Sequence, residues 1–420
     1  MASLFHLFRK ASRRPLPLSP LKPISFPLTG THECVPKHII LEEEQFDHFL
    51  KDQYCPVTIG QVLDDRYQIL GKLGFGVTST VWLAQDLKAH EKVSIKVYTR
   101  DGANKDEIEI LRRLRETDTS HIGYPHVRSA QNVFIITRDS IAHQCLVLEP
   151  MWESYRELLS RNASHRFTPA LLKAGLTHVF RALDYLHGSC HIVHTDIKAD
   201  NVLQSIEDKS VLDNFVKAEL AQPSPRKLVD GKLVFLSRRL DLPKEFGIAV
   251  LNDFGSAVDG KDLQDYDAQP DVYRSPEVML QIPWSYPIDI WNVGVMIWDL
   301  FEGRHMFYGH DPHINGYSTR AHLAEVIGLL GPPPLDLLRR GKRSSEFFDE
   351  NGIWKAIVHL PENVSLEQFE SFMAGEKKLA FLKFLRRMLQ WRPEDRATAK
   401  ELLDDPWLNS PSDPEDYYNT

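Results

Sequence analysis

The stretch that decides the fold is His194-Thr195-Asp196-Ile197-Lys198-Ala199-Asp200-Asn201, and Asp253-Phe254-Gly255 follows it later in the chain. Asp196 can accept a proton from a hydroxyl group, and Lys198 can neutralise the charge of a phosphate. Asn201 and Asp253 offer the hard oxygen ligands that Mg²⁺ prefers. Transfer of a phosphoryl group depends mainly on positioning and charge stabilisation. The sequence therefore predicts catalytic roles for Asp196 and Lys198 and metal-ligand roles for Asn201 and Asp253.

Two other interpretations fit this stretch when it is taken alone. A surface loop rich in Asp and Lys would have the same composition without any chemistry. Enzymes that phosphorylate small molecules also use an Asp, an Asn and a later Asp in this order. The choice among the three depends on a glycine-rich segment upstream and on motifs downstream.

Composition limits the class of protein. Of 420 residues, 42% are hydrophobic and 26% are charged, which is ordinary for a globular protein with a full core. No apolar run reaches the ~18 residues of a membrane helix, so we expect no membrane partner. The four cysteines contain no C-x-x-C pair, which favours a reducing compartment and argues against a zinc site.

Charge is distributed unevenly along the chain. Residues 1–32 carry five basic and no acidic side chains, so a net charge of −8 overall leaves −13 for residues 33–420. The negative net charge of residues 33–420 favours a basic protein substrate and disfavours nucleic acid as a direct ligand. We expect a monomer located in the cytoplasm, the nucleus or both.

The chain divides into segments of different character. Residues 1–32 are a basic tail with several prolines, expected to be disordered. The alternative is a mitochondrial transit peptide, which the first 14 residues resemble in composition. An N-terminal extension covers 33–66, and regular structure is expected to begin near Tyr67. A strand-rich lobe at 67–150 and a helix-rich lobe at 151–408 predict an α+β fold, followed by a tail at 409–420. Residues 204–249 are an insertion, expected to be a loop with a little structure and no chemical role.

A glycine-rich segment connects two predicted strands of the first lobe. It is Leu73-Gly74-Phe75-Gly76-Val77-Thr78-Ser79-Thr80-Val81. Glycine lets a backbone approach phosphate oxygens and present N–H groups to them. A strand follows the turn, whereas a dinucleotide-binding fingerprint requires a helix there.

Lys96 lies on the next predicted strand, between the apolar Ile95 and Val97. A lysine on a buried strand needs a partner. Glu107 in the following helix is the first candidate and Glu109 the second. Such an ion pair would direct the ammonium group of Lys96 toward the phosphates of a nucleotide.

These motifs in this order resemble the eukaryotic protein kinases over residues 67–408. The resemblance implies a two-lobed kinase fold, with Lys96 and Glu107 anchoring ATP, Asp196 as the base, and Asn201 and Asp253 as Mg²⁺ ligands. The resemblance also adds two hinge residues and one residue after Asn201 to the ATP site. It further identifies residues later in the chain that support the structure around the site. The ATP-site residues are Glu149, Met151 and Leu203 beside the gatekeeper Leu148, and the supporting residues are Glu277, Asp289 and Arg396. Enzymes that phosphorylate small molecules lack the downstream set.

Further details resemble the SR-protein kinases, and fungal members in particular. Thr195 stands where most kinases carry an arginine, in a His-Thr-Asp-Ile-Lys motif. The resemblance implies a serine/threonine kinase acting on Arg/Ser-rich splicing factors, with a nucleotide-binding scaffold without transfer as the alternative. An arginine at position 195 would pair with a phosphorylated activation loop. Without it, we expect activity that does not depend on loop phosphorylation. Ser94, in place of the usual alanine over the adenine, is expected to narrow or polarise the pocket.

Overall fold

A computed structural model describes residues 19–27, 35–100, 102, 105–138 and 140–412. The first lobe is built on one antiparallel sheet in the order β1-β2-β3-β4-β6-β5. Its strands are β1 (Val62–Leu63), β2 (Tyr67–Gly76), β3 (Ser79–Asp86), β4 (Lys92–Tyr98), β5 (Ala130–Arg138) and β6 (Ile141–Leu148). The first four strands are joined by short connections, and each pairs with its neighbour in sequence. Helix α2 lies in the longer connection between β4 and β5.

The helices lie mainly in the second lobe. Two occur before it, α1 (Asp47–Leu50) and α2 (Lys105–Glu116). The others are α3 (Tyr155–Arg161), α4 (Pro169–Asp184), α5 (Ser210–Ala221), α6 (Pro276–Met279), α7 (Pro287–Glu302), α8 (Thr319–Leu330), α9 (Leu335–Arg340), α10 (Ser344–Phe347), α11 (Leu366–Phe369), α12 (Gly375–Arg386), α13 (Ala399–Leu403) and α14 (Pro406–Asn409). No described helix is both long and apolar enough to cross a bilayer.

Short strands complete the second lobe and the insertion. They are β7 (Met151–Ser154), β8 (Ile192–Val193), β9 (Val202–Ser205), β10 (Arg226–Val229), β11 (Lys232–Phe235), β12 (Ala249–Leu251), β13 (Val258–Asp259), β14 (His310–Asp311) and β15 (Gly316–Tyr317). The central strand β9 pairs with β7 and β12, and β8 pairs with β13. These two small sheets carry the segments before and after Asn201 and Asp253, so they position the predicted site.

Helix α7 is the centre of the second lobe, as its apolar sequence predicts. Residues 288–302 are all buried, and they join a single large hydrophobic cluster with α4, α8 and α12. The helix ends at Gly303, whose φ of 69° is a left-handed conformation that glycine adopts without a steric penalty. Helix α4 begins after Thr168, whose side chain accepts a hydrogen bond from the backbone N–H of Leu171.

Ordered structure begins earlier than the sequence predicts. Within the tail, the backbone N–H of Ile24 donates to the Gln68 side chain at 2.8 Å, so residues 19–27 contact the first lobe. A short 3-10 helix (Glu42–Gln45), α1 and β1 all precede Tyr67. These elements are too short to produce a periodic pattern in the sequence. The suggested transit peptide lies outside the described residues.

The insertion is folded, and it contains more structure than the loop with a little structure that the sequence predicts. Helix α5 packs on the first lobe, where Phe215 shares an apolar cluster with Leu70 and Leu83. Strands β10 and β11 form a hairpin that places Phe235 against Trp82, with ring centroids 5.9 Å apart. The boundaries are also narrower, because 204–205 and 249 belong to the paired strands β9 and β12. Sequence alone did not reveal these elements because their stability depends on contacts with a distant lobe.

Candidate active site

A buried carboxylate orders the loop that carries Asp196. Asp289 accepts the backbone N–H groups of His194 and Thr195, each at 2.8 Å. Thr195 has a φ of 69°, which is rare for a β-branched residue and is found mainly at functional sites. His194 Nε2 lies 3.1 Å from the carbonyl oxygen of Asn252, which connects this loop to the segment before Asp253.

Three side chains of this loop meet at Asp196. Lys198 Nζ lies 2.9 Å from each carboxylate oxygen of Asp196. Asn201 Nδ2 donates to the backbone oxygen and to Oδ2 of Asp196, both at 2.8 Å. No hydrogen bond within the described part of the chain engages the side-chain oxygen of Asn201, so this oxygen is available to another ligand. The base, the cation and one metal ligand predicted from the sequence do lie together.

Lys96 lies between two carboxylates on opposite lobes. Its Nζ is 3.3 Å from Glu107 Oε1 and 3.4 Å from Asp253 Oδ1. Glu107 is buried and also accepts from the Tyr98 hydroxyl at 2.5 Å, whereas Glu109 pairs with Arg112. Of the two partners that the sequence offers for Lys96, Glu107 is therefore the one in contact with it. Burial acts most strongly and raises the pKa of Asp253, but Lys96, His194 and the backbone N–H of Gly255 together outweigh it, so the pKa lies below its ordinary value.

The glycine-rich segment forms the hairpin between β2 and β3. Phe75 pairs with Thr80 and Gly76 with Ser79. The Tyr54 hydroxyl donates to the carbonyl oxygens of Gly76 (2.6 Å) and Val77 (2.8 Å), so the N-terminal extension holds the tip of the hairpin.

A cavity of about 210 Å³ lies beneath this hairpin. Its lining includes many of the predicted nucleotide-site residues, namely Phe75, Gly76, Ser79, Val81, Lys96, Glu107 and Asp253. The other predicted residues do not line it: Leu73, Gly74, Val77, Thr78, Thr80, Glu149, Met151 and Leu203. The hydroxyl of Thr80 accepts from the Trp82 indole instead.

Arg128 lines this cavity, and the sequence interpretation did not include it. Its Nη2 donates to the carbonyl oxygen of Glu149 at 2.6 Å and to Ser94 Oγ at 2.7 Å, and its Nη1 donates to Asn252 Oδ1 at 2.9 Å. Burial lowers the pKa of Arg128 to about 10, which still leaves the side chain charged at neutral pH. Ser94 and Arg128 are 34 residues apart in the chain, so no local sequence pattern pointed to Arg128.

Asn201 and Asp253 fit a Mg²⁺ site by the chemistry of their oxygens. Mg²⁺ is usually held by one or two carboxylates together with substrate phosphates and water, and it rarely has an all-protein cage. Accordingly, the described part of the chain contains no cluster of three His, Cys, Asp or Glu side chains able to hold a metal by itself. The pair would need the phosphates of a nucleotide to complete the coordination.

A second and larger cavity, of about 550 Å³, opens beside Asp196. It is bordered by Thr195 and by the segment after Asp253, including residues 255–258 and 266–270. Asp267 is exposed on this border, and the described residues supply no ion pair for it. The cavity provides room for a peptide whose hydroxyl group would reach Asp196.

Comparison with known proteins identifies relatives over most of the chain. The protein kinase domain family matches residues 67–237 and 240–408. A serine/threonine protein kinase of Aspergillus fumigatus is 40% identical over 91% of this chain and 94% of its own length. A serine/threonine-protein kinase SRPK of Physarum polycephalum is 30% identical over 87% and 91%.

One solved structure extends the comparison to three dimensions. A crystal structure of a kinase domain superimposes with a TM-score of 0.64, covering 86% of this chain and all of that chain, at 22% identity. At this identity the likeness concerns the fold alone. It confirms the two-lobed α+β architecture that the sequence motifs predict.

Proposed function

Since the chain belongs to the protein kinase family and is a serine/threonine protein kinase, we propose that it transfers phosphate from ATP, with Mg²⁺, to Arg/Ser-rich proteins. The observation that carries the proposal is the meeting of Lys198 and Asn201 at the carboxylate of Asp196. The opening of a cavity at the same carboxylate supports a peptide substrate.

Each side chain has a distinct role in the proposed reaction. Asp196 orients the substrate hydroxyl and accepts its proton as the oxygen attacks the phosphorus. Lys198 offsets the charge that develops on the phosphoryl oxygens, and Lys96, held by Glu107, anchors the other phosphates. Asn201 and Asp253 would hold Mg²⁺, which when bound supplies further charge neutralisation.

The preference for basic peptides rests on charge. Residues 33–420 carry a net negative charge, and Asp267 offers an exposed carboxylate beside the second cavity that forms no ion pair within the described part of the chain. The cation in the lining of this cavity, Arg274, is itself paired with Asp271. A substrate with arginines next to its serine would find complementary charge along this border. The relative from Physarum polycephalum carries the name SRPK, which points in the same direction.

The location and oligomeric state are part of the proposal. Cys55, Cys145 and Cys190 are free and buried, as expected for a protein kept in a reducing compartment. We place the enzyme in the cytoplasm, the nucleus or both, as a monomer that does not bind nucleic acid directly. Fractionation and light scattering test these statements.

A transfer assay tests the proposed activity. Purified protein is incubated with Mg²⁺, radiolabelled ATP and an array of peptides in which serines are flanked by arginines, by lysines or by glutamates. We expect label on the arginine set and none with Asp196→Ala. A thermal-shift titration with Mg²⁺ and ATP runs in parallel. A shift without any transfer would identify a nucleotide-binding scaffold instead.

A further inference from the structure

Arg128 is a buried cation in the wall of the nucleotide cavity, and the proposed transfer chemistry does not use it. It lies just before β5 and is 9% exposed. Its three hydrogen-bond acceptors are neutral oxygens, and no carboxylate of the described chain forms an ion pair with it. Its Nε is buried, and none of the residues that the structure describes accepts a hydrogen bond from it. A buried charge that is partly unsatisfied is expensive, so a role in ligand binding is indicated.

The cavity has two ends of different chemistry. Lys96 and Asp253 mark the end that receives phosphates in the proposed function, while Val81 and Leu148 form apolar walls suited to a flat base. Arg128 lies at the base end, because it reaches the carbonyl oxygen of Glu149 directly after Leu148. The edge of a bound purine would therefore face the guanidinium group.

Guanine and adenine differ at the edge that carries N7 and the 6-substituent. Guanine presents its O6 and N7 atoms as acceptors, whereas adenine presents N7 as an acceptor and a 6-amino group as a donor. An arginine carries five N–H donors and no acceptor. The Glu149 carbonyl oxygen already accepts from Arg128 at 2.6 Å and from the Ser94 hydroxyl at 3.3 Å, so a 6-amino group would compete for an acceptor that is in use. A 6-carbonyl group would instead complement the donors that face it.

We propose that Arg128 sets the base preference of this enzyme and that GTP serves as a phosphoryl donor alongside ATP. The inference rests on the proposed phosphotransfer function. In the step, the bond between the γ-phosphorus and its bridging oxygen breaks and a bond from the serine oxygen to that phosphorus forms. GDP leaves, and the hydroxyl proton passes to Asp196.

Ser94 acts as a positioning residue for Arg128. Its hydroxyl accepts from Nη2 at 2.7 Å, and the residue is buried on β4 opposite Leu148. An alanine here would remove one anchor of the guanidinium group without adding bulk. Ser94→Ala should therefore move the base preference in the same direction as loss of Arg128, but by less.

The test measures kcat/KM for one peptide with ATP, GTP and ITP, using the full-length protein and Arg128→Met. ITP keeps the 6-carbonyl of guanine and lacks its 2-amino group, so its kcat/KM reports the effect of the 6-carbonyl without that of the 2-amino group. We expect GTP and ITP to match ATP in the unmodified enzyme. In Arg128→Met, their kcat/KM relative to ATP should fall about 5- to 140-fold, the equivalent of ~1–3 kcal/mol. Arg138→Met, at the exposed end of β5, is the matched control and should leave the ratio unchanged.

An unchanged ratio in Arg128→Met would overturn the inference. If that variant does not fold, calorimetric binding of ADP, GDP and IDP to the unmodified protein decides instead. GDP and IDP binding at least as tightly as ADP supports the assignment, and a tenfold preference for ADP overturns it. Transfer from none of the three triphosphates, with guanine-type binding retained, would refute the proposed function and leave the base preference standing.

Discussion

Arg396 and Glu277 form a completely buried ion pair, with Nη1 2.6 Å from Oε1 and Nη2 2.7 Å from Oε2. The guanidinium group also donates to the carbonyl oxygens of Pro287 (3.0 Å) and Gln390 (3.1 Å). A buried pair of this kind is stable only when its geometry is good and its remaining donors are satisfied. The pair connects helix α6, which follows the segment that borders the second cavity, to the C-terminal part of the second lobe.

Removal of one partner of this ion pair should destabilise the fold strongly. We expect Arg396→Met to lower the free energy of unfolding by about 3–5 kcal/mol, because the carboxylate of Glu277 would stay buried without its counter-charge. Urea unfolding measures the difference. Arg392→Met is the control, because Arg392 forms a partly exposed pair with Asp336 and should cost far less. Equal losses in the two variants would contradict the assignment.

Lys96→Ala should reduce turnover while the protein remains folded. Loss of the ammonium group removes a charge that is aimed at the phosphates, and one such contact typically contributes about 100- to 1000-fold to kcat. Peptide phosphorylation measures turnover, and circular dichroism measures folding. Lys92→Ala on the same strand is the matched control, since Lys92 pairs with Asp213 on the surface. Unreduced turnover in Lys96→Ala would refute its anchoring role.

Asp253→Asn should shift the Mg²⁺ dependence of transfer to higher concentrations. An amide is a weaker ligand than a carboxylate, and the loss should reach at least the roughly 10- to 100-fold that removal of an outer-shell partner costs a metal site. A Mg²⁺ titration of the initial rate measures it. Asp262→Asn, exposed nine residues later, is the control. Identical titration curves for the two variants would exclude Asp253 as a ligand.

Phosphatase treatment should leave activity unchanged. The Thr195 hydroxyl donates to the carbonyl oxygen of Ser256 at 2.9 Å, and Gln269 Oε1 accepts from the backbone N–H of Ser275. These contacts order the segment after Asp253 without a phosphate group. The measurement is turnover before and after dephosphorylation, with intact mass confirming the removal of phosphate. Activity that disappears and returns on rephosphorylation would show that the ordered segment needs the modification.

The insertion should contribute to the stability of the first lobe. Phe235 is 1% exposed and packs edge-on against Trp82, so Phe235→Ala should lower the free energy of unfolding by about 3–5 kcal/mol. Leu228→Ala in the same hairpin is the control, because Leu228 is 55% exposed. Urea unfolding compares the two. Equal losses in the free energy of unfolding for Phe235→Ala and Leu228→Ala would show that the insertion does not share the core of the first lobe.

Much of the site could be predicted because its parts are close in sequence. Asp196, Lys198 and Asn201 lie within one loop, so any fold that orders this loop brings them together. Lys96 and Glu107 lie on adjacent elements, and the buried strand made a partner for the lysine necessary. The early elements before Tyr67 escaped prediction because a two-residue strand or a four-residue helix leaves no periodic signal.

By itself, the sequence determined the kinase family, the two-lobed fold and the identity of the groups that meet at Asp196, since local spacing encodes them. The tertiary structure alone decided that the insertion completes the first lobe and that Arg128 lies in the wall of the cavity beneath the glycine-rich hairpin. Arg128 meets Glu149 across 21 residues and Asn252 across 124. Contacts of this separation arise only when distant segments are packed together, and no pattern along the chain records them.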